Sequence, residues 1–337
     1  MTRPQLTFFC ELDALSLQEL FSRTGVIDAL VDLSASVSLG LLDLSAERAA
    51  IVRRLNEAGV PVVAWLLLPK EEGYWFNADN GPQAVRRYAA FRAWTAEHGL
   101  RWAGIGIDIE PDIGEAQSLV EGRVGAVLPN LMRRLVDGAR VWRARAIYTT
   151  LVTQMALDGY RTESYQIPFI VDERRAGSTL LQRLFGLVDI ATRREVLMLY
   201  TSFLRPAGPG LLWSYGRDAE GIGIGVTGGG VEIGSTEMPA PLSWPEFARD
   251  LRLARRLSRH LYIFSLEGCV RRGYLERLAG FDWSSPVEAP TRQARRVDLA
   301  RRVGWGLLWA AAHPGVTLGG LLALTALWRL MRRRRRS

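Results

Sequence analysis

At 337 residues, with 48% hydrophobic and 9% aromatic content, the chain can bury a large core, and its composition excludes a disordered polymer. The net charge of +8 does not point to nucleic acid: residues 286–337 hold eleven Arg against Glu288 and Asp298, a net of +9, which leaves residues 1–285 at about −1. Two cysteines, Cys10 and Cys269, argue against a disulfide framework and a cysteine-ligated metal.

The N-terminal MTRPQLTFFCELDALSL lacks the apolar core and small-residue cleavage site of a secretory signal. From there the chain alternates. Apolar, β-rich runs fall at 5–12, 29–37, 60–68, 102–110, 146–152, 196–203, 221–228 and 260–268, eight in all. Segments of helical period lie between most of them, among them SAERAAIVRRLNEAG, GPQAVRRYAAFRAWTAEHG and SWPEFARDLRLARRLSR. Continuous apolar strands alternating with amphipathic helices predict a parallel sheet covered by helices. Eight such units in residues 1–285 predict an α/β (β/α)₈ TIM barrel, whose usual size is about 250 residues. An open doubly wound sheet would need a Gly-rich turn after its first strand, where CELDALSLQEL has none. Residues 153–195 are too long for a simple loop and predict extra structure over the barrel mouth. Cys10 and Cys269 would lie on neighbouring strands of a closed barrel, yet a bridge between them is not expected.

After the barrel, residues 286–302 form a basic linker, 303–331 a membrane segment and 332–337 a polybasic tail. Residues 303–328 contain no Asp, Glu, Lys or Arg, and about 20 such residues suffice to cross a bilayer as a helix. Trp305, Trp309 and Trp328 lie towards the ends, where indoles favour the interface. Arg clusters flank both sides, so the charge rule sets no orientation. His313, Pro314 and Gly315 allow a kinked C-terminal transmembrane helix, the preferred reading, or a re-entrant hairpin. A single-pass or re-entrant anchor of this kind would place the barrel in the cytoplasm.

Active sites of (β/α)₈ barrels lie at the C-terminal strand ends. The runs here end in Glu11 and Asp13, Asp108 and Glu110, Tyr200, and Glu267. Residues two apart on a strand share a face, so Asp108 and Glu110 point the same way; if inward, their crowding would hold one proton near neutral pH. A protonated carboxyl beside an ionised one is what glycosidic cleavage asks for. Glu110 is then the acid, Asp108 its positioning partner, and Glu267 or Glu11 the nucleophile or base. Aromatic stacking on sugar rings is expected from Trp65, Tyr74, Trp75, Tyr165, Tyr200 and Trp213, with Asp112 as a further polar contact.

GIGIDIEPD resembles the end of the fourth-strand signature of family 18 chitinases, D-x-x-D-x-D-x-E. The resemblance implies that Glu110 is the acid and that Asp108 orients the substrate. Tyr200 would stand where that family keeps a sixth-strand tyrosine. Ala103 and Gly106 occupy the two earlier acidic places, and the eighth run ends in Glu267 where the family has a tryptophan.

Other chemistries are disfavoured. His98, His260 and His313 are the only histidines and none falls at a catalytic strand end, against zinc and Ser-His-Asp chemistry. Glu11, Asp13, Asp108 and Glu110 offer a lesser alternative, an all-oxygen cation site for a metal-dependent phosphodiesterase-like hydrolase. GIGIGVTGGGVEIG, residues 221–234, lacks the P-loop lysine and is read as a strand and mouth loop. The expectation is therefore a membrane-anchored glycoside hydrolase-like protein acting on a carbohydrate or glycolipid, with no cofactor, no metal and no nucleic-acid partner. Its rival is a non-catalytic, membrane-tethered glycan-binding barrel.

Overall fold

The computed structural model describes residues 3–230 and 239–334. Eight parallel strands close into a barrel in chain order: β1 Gln5–Cys10, β2 Ser36–Leu41, β3 Val62–Leu66, β4 Gly104–Ile109, β5 Thr162–Gln166, β6 Arg194–Met198, β7 Gly221–Gly225 and β8 His260–Phe264. Closure is made by β1 and β8, with Gln5 opposite His260 and Phe9 opposite Phe264. The predicted (β/α)₈ architecture is present.

Alternation along each strand sorts side chains between two cores. Leu6, Phe8 and Cys10 of β1, the isoleucines of β4 and Ile222 and Ile224 of β7 pack outward against the helices. Phe9, Trp65, Tyr165, Val196 and Tyr262 fill the interior, and Phe9 meets Tyr165 edge-on with ring centroids 4.7 Å apart. So aromatic an interior needs glycine on the facing strands. A Cβ on Gly106 would lie 2.3 Å from the Tyr165 hydroxyl, and one on Gly223 or Gly225 would press on the Tyr200 ring at 3.2 Å. The GIGIG run is thus a strand whose glycines admit rings, as its lack of a P-loop lysine suggested. The rest of that motif, from residue 231, lies outside the described residues.

One predicted strand is partly helical and another wholly so. Residues 29–37 straddle the helix Val26–Asp32 and the start of β2. Val26 and Leu30, four apart, bury one face of that helix, while Ser34 turns the chain at φ 46°. Residues 146–152 lie inside the helix Gly138–Leu157, whose buried Val141, Ala144, Tyr148, Leu151 and Met155 recur every three or four positions. The real β5, TESYQ, lies within the stretch predicted to cover the mouth. Its polar letters hide it: Ser164 bonds Thr192, and Glu163 pairs with Arg194 at 2.8 Å beneath the aromatic layer.

Both cysteines are free thiols, buried, without a bridge. The basic stretch after the barrel continues as the helix Thr291–Ala312, packed against the helices Ile170–Ala176 and Gly208–Tyr215. Arg301 fixes it there, reaching Asp172 at 2.8 Å and Asp218 at 2.7 Å and lying over the Tyr215 ring. A second helix, Pro314–Arg334, follows. Among the described residues no single helix is long and apolar enough to cross a membrane. Only Thr291–Ala312 together with Pro314–Thr325 has the length and composition, and that pair is bent by 102° at His313. The break falls at His313, as the kink was predicted to, and Pro314 stands at a helix start, where its missing N–H is harmless.

Candidate active site

A cavity of about 430 Å³ opens at the C-terminal ends of the strands. Glu11 enters it from just past β1, Asp108 and Glu110 from the end of β4, and Tyr200 from just past β6. Asp108 is buried, on the same strand face as Gly106 and opposite in sense to the outward Ile107 and Ile109. The inward orientation expected for the D-x-E pair is therefore observed.

Electrostatics follow from this placement. Burial pushes the Asp108 carboxyl well up, with repulsion from Glu110 and Glu11 adding to it. Glu110 is pushed up to about 7, chiefly by burial, while a hydrogen bond with Asp108 pulls it back. The two act as one titrating pair that retains a proton near neutrality. Burial and the same three acids drive the Tyr200 phenol upward, so it stays a neutral donor. Trp65 opposes the rise in the Asp108 carboxyl, yet neither its Nε1 nor Asp108 Oδ1, both buried, makes a well-formed hydrogen bond among the described residues.

Trp65, Trp75, Tyr165 and Tyr200, among the aromatics singled out in the sequence, line the cavity. Tyr165 is also part of the barrel plug, its hydroxyl 2.7 Å from Ser38 Oγ. Tyr74 does not line the cavity. Its hydroxyl donates to Glu11 Oε1 at 2.5 Å, so it positions the acid. Trp213 lies away from the mouth, its ring under the Arg256 guanidinium at 5.0 Å. Asp112 caps the helix that starts at Ile113, accepting from the Gly114 and Glu115 N–H groups.

Glu267 is not brought into the cavity. It sits in the first turn of the helix Leu266–Arg271, behind Gly229, whose Cβ would lie 2.4 Å from Glu267 Oε1. Burial raises its carboxyl to about 7, with Ser265 opposing. The inward group that ends β8 is Phe264. Asp13 is likewise occupied, capping the helix Ala14–Ser22 through the Ser16 N–H. Among the described residues no three His, Cys, Asp or Glu side chains are grouped closely enough to hold a metal ion, and Asp13 of the predicted cation cluster is taken up as a helix cap.

Sequence reasoning missed the apolar lining. Ile167, Pro168 and Phe169 follow the unrecognised β5, and Met198 ends β6. Phe203, Leu204 and Leu211 belong to the segment after β6, where only their closeness to a strand end could have flagged them.

No protein-family description and no curated protein matches the chain. Among solved structures it is similar in shape to a GH18 chitinase from Pseudoalteromonas aurantia, at 10% identity and a TM-score of 0.42, over 82% of this chain and 100% of that one. It is also similar to a D-allulose 3-epimerase from Methylomonas sp., at 11% identity and 0.41, over 89% and 99%. An L-ribulose 3-epimerase aligns at 14% and 0.41, over 94% and 98%. Likeness at this level carries no argument about chemistry, which has to be read from the residues.

Proposed function

We propose that the chain is a glycoside hydrolase-like enzyme, cleaving or transferring at a glycosidic bond, with Glu110 as acid. The observation that carries this reading is the convergence of Asp108, Glu110, Glu11 and Tyr200 in one cavity at the strand ends. In hydrolysis the bond from the anomeric carbon to the leaving oxygen breaks, and the Glu110 proton goes to that oxygen. Water supplies the new hydroxyl and leaves its proton on a carboxylate, for which Glu11, held by Tyr74, is the candidate. A Glu110 carboxyl near 7 is protonated in part at physiological pH, as an acid requires. Asp108 Oδ1 and Trp65 Nε1, which make no well-formed hydrogen bond within the protein, would turn to the sugar to accept and to donate one.

We place the enzyme at a membrane surface through the C-terminal helix pair, whose combined length and composition suit a bilayer. The test is turnover of a panel of fluorogenic and native glycosides by the full chain beside Glu110→Gln. Activity that the substitution lowers by two orders of magnitude or more fits general-acid catalysis. Sugar binding without turnover by either protein would favour the glycan-binding barrel.

A further inference from the structure

Beyond its acids, the cavity is poor in polar groups among the described residues. The lining that follows β5 and β6 is built by Ile167, Phe169, Met198, Phe203, Leu204 and Leu211. A sugar ring there would bury hydroxyls with no partner, which is costly. The acids and Tyr200 can satisfy one ring; the apolar lining after β5 and β6 suits hydrocarbon. Phe203 and Leu204 line the cavity and yet remain 50% and 48% exposed, so its rim is apolar on the outside as well. The helix that carries Leu211 packs directly on Thr291–Ala312, where Val303 and Leu307 are also exposed. Cavity wall, rim and C-terminal helix thus share one flank of the barrel.

We infer that the substrate is an amphiphilic glycoside presented from a lipid surface, with its sugar among Glu11, Asp108 and Glu110 and its apolar aglycone along the 167–169 and 198–211 wall. The inference rests on the glycosidic reading of the site and names its substrate class.

The test uses the full chain in phosphatidylcholine vesicles with an octyl glucoside carrying a diazirine on its terminal carbon. Irradiation should label residues 167–169 and 198–211. Unlabelled methyl, butyl, hexyl and octyl glucosides should compete more strongly by about fourfold per methylene, the Boltzmann factor for burying one such group. Labelling confined to 303–334, as expected of a probe dissolved in the bilayer, or competition flat in chain length, overturns the inference. Glucosyl-diacylglycerol placed in the vesicles should compete as well; competition by soluble octyl glucoside alone refutes presentation from the lipid surface. Leu211→Glu, which puts a charge in the path of the tail, should remove the label from 198–211, and the chain-length series on the unaltered protein stands whether or not that variant folds. Chain-length-dependent labelling with no glycoside turned over would keep the wall assignment and sink the glycosidic reading. Turnover of methyl and octyl glycosides at equal kcat/KM would do the reverse.

Discussion

Replacing Glu110 with Gln should cost turnover and, above neutral pH, stabilise the fold. Burial holds this carboxyl at about 7, against 4.5 for an ordinary glutamate. The folded chain therefore binds a proton that the unfolded chain releases between pH 4.5 and 7. The stability that proton confers is fully present below 4.5 and lost as pH rises through 7. At about 1.4 kcal/mol per pH unit, the folded state forfeits roughly 3 kcal/mol by pH 8. Glutamine of similar shape pays no ionisation cost, and it also relieves the repulsion that helps push Asp108 upward. Urea melts of both proteins in the same detergent should nearly coincide at pH 4.5, and at pH 8 the variant should be more stable by up to about 3 kcal/mol. A variant that is no more stable at pH 8, with the same pH dependence as the parent, would refute the placement of Glu110 as a desolvated acid.

Glu267→Gln should show the same stabilisation at pH 8, since burial raises that carboxyl also to about 7, but with catalytic activity intact because it lies outside the cavity; parallel melts and kinetics check both halves. Tyr74→Phe removes the hydrogen bond that holds Glu11 and should lower kcat/KM about tenfold or more, the scale of a bond to a charged group, as steady-state kinetics would show. Gly106→Ala drives a Cβ to 2.3 Å from the Tyr165 hydroxyl and should cost at least about 1–3 kcal/mol in a denaturant melt, through overpacking. Arg301→Ala takes from Asp172 its cation, leaving it the Tyr215 hydroxyl, while Asp218 keeps Arg175; it should cost about 1–3 kcal/mol, read as faster proteolysis within 291–312.

Much of the barrel was legible because six strands are apolar runs with helix-period segments between them. Two stretches of the chain show where pattern fails. AIYTTLV is β-branched enough to pass for a strand, yet its neighbours extend a three-and-four spacing over twenty residues, a signal visible only in a longer window. TESYQ reads as a loop, because its hydrogen-bonding residues are satisfied by Thr192 and Arg194, which are remote in sequence. The same error concealed Ile167, Pro168 and Phe169 as lining residues of the cavity. Asp108 and Glu110 were legible because period two fixes their common face and a barrel gives that face a meaning. Glu267 was not, since where a strand yields to a helix depends on the chain's path. One residue of helix, with Ser265 as its cap, turned the carboxylate behind the wall.

The central claim is that Glu110 delivers a proton to a departing oxygen. The measurement that meets it most directly is kcat/KM for aryl and alkyl glycosides of graded leaving-group acidity, with the full chain and Glu110→Gln. The account predicts that the variant nearly matches the parent on dinitrophenyl glycosides, which leave without protonation, and falls behind by two orders of magnitude or more on alkyl glycosides. An equal loss across the whole series would mean that Glu110 does something other than donate that proton.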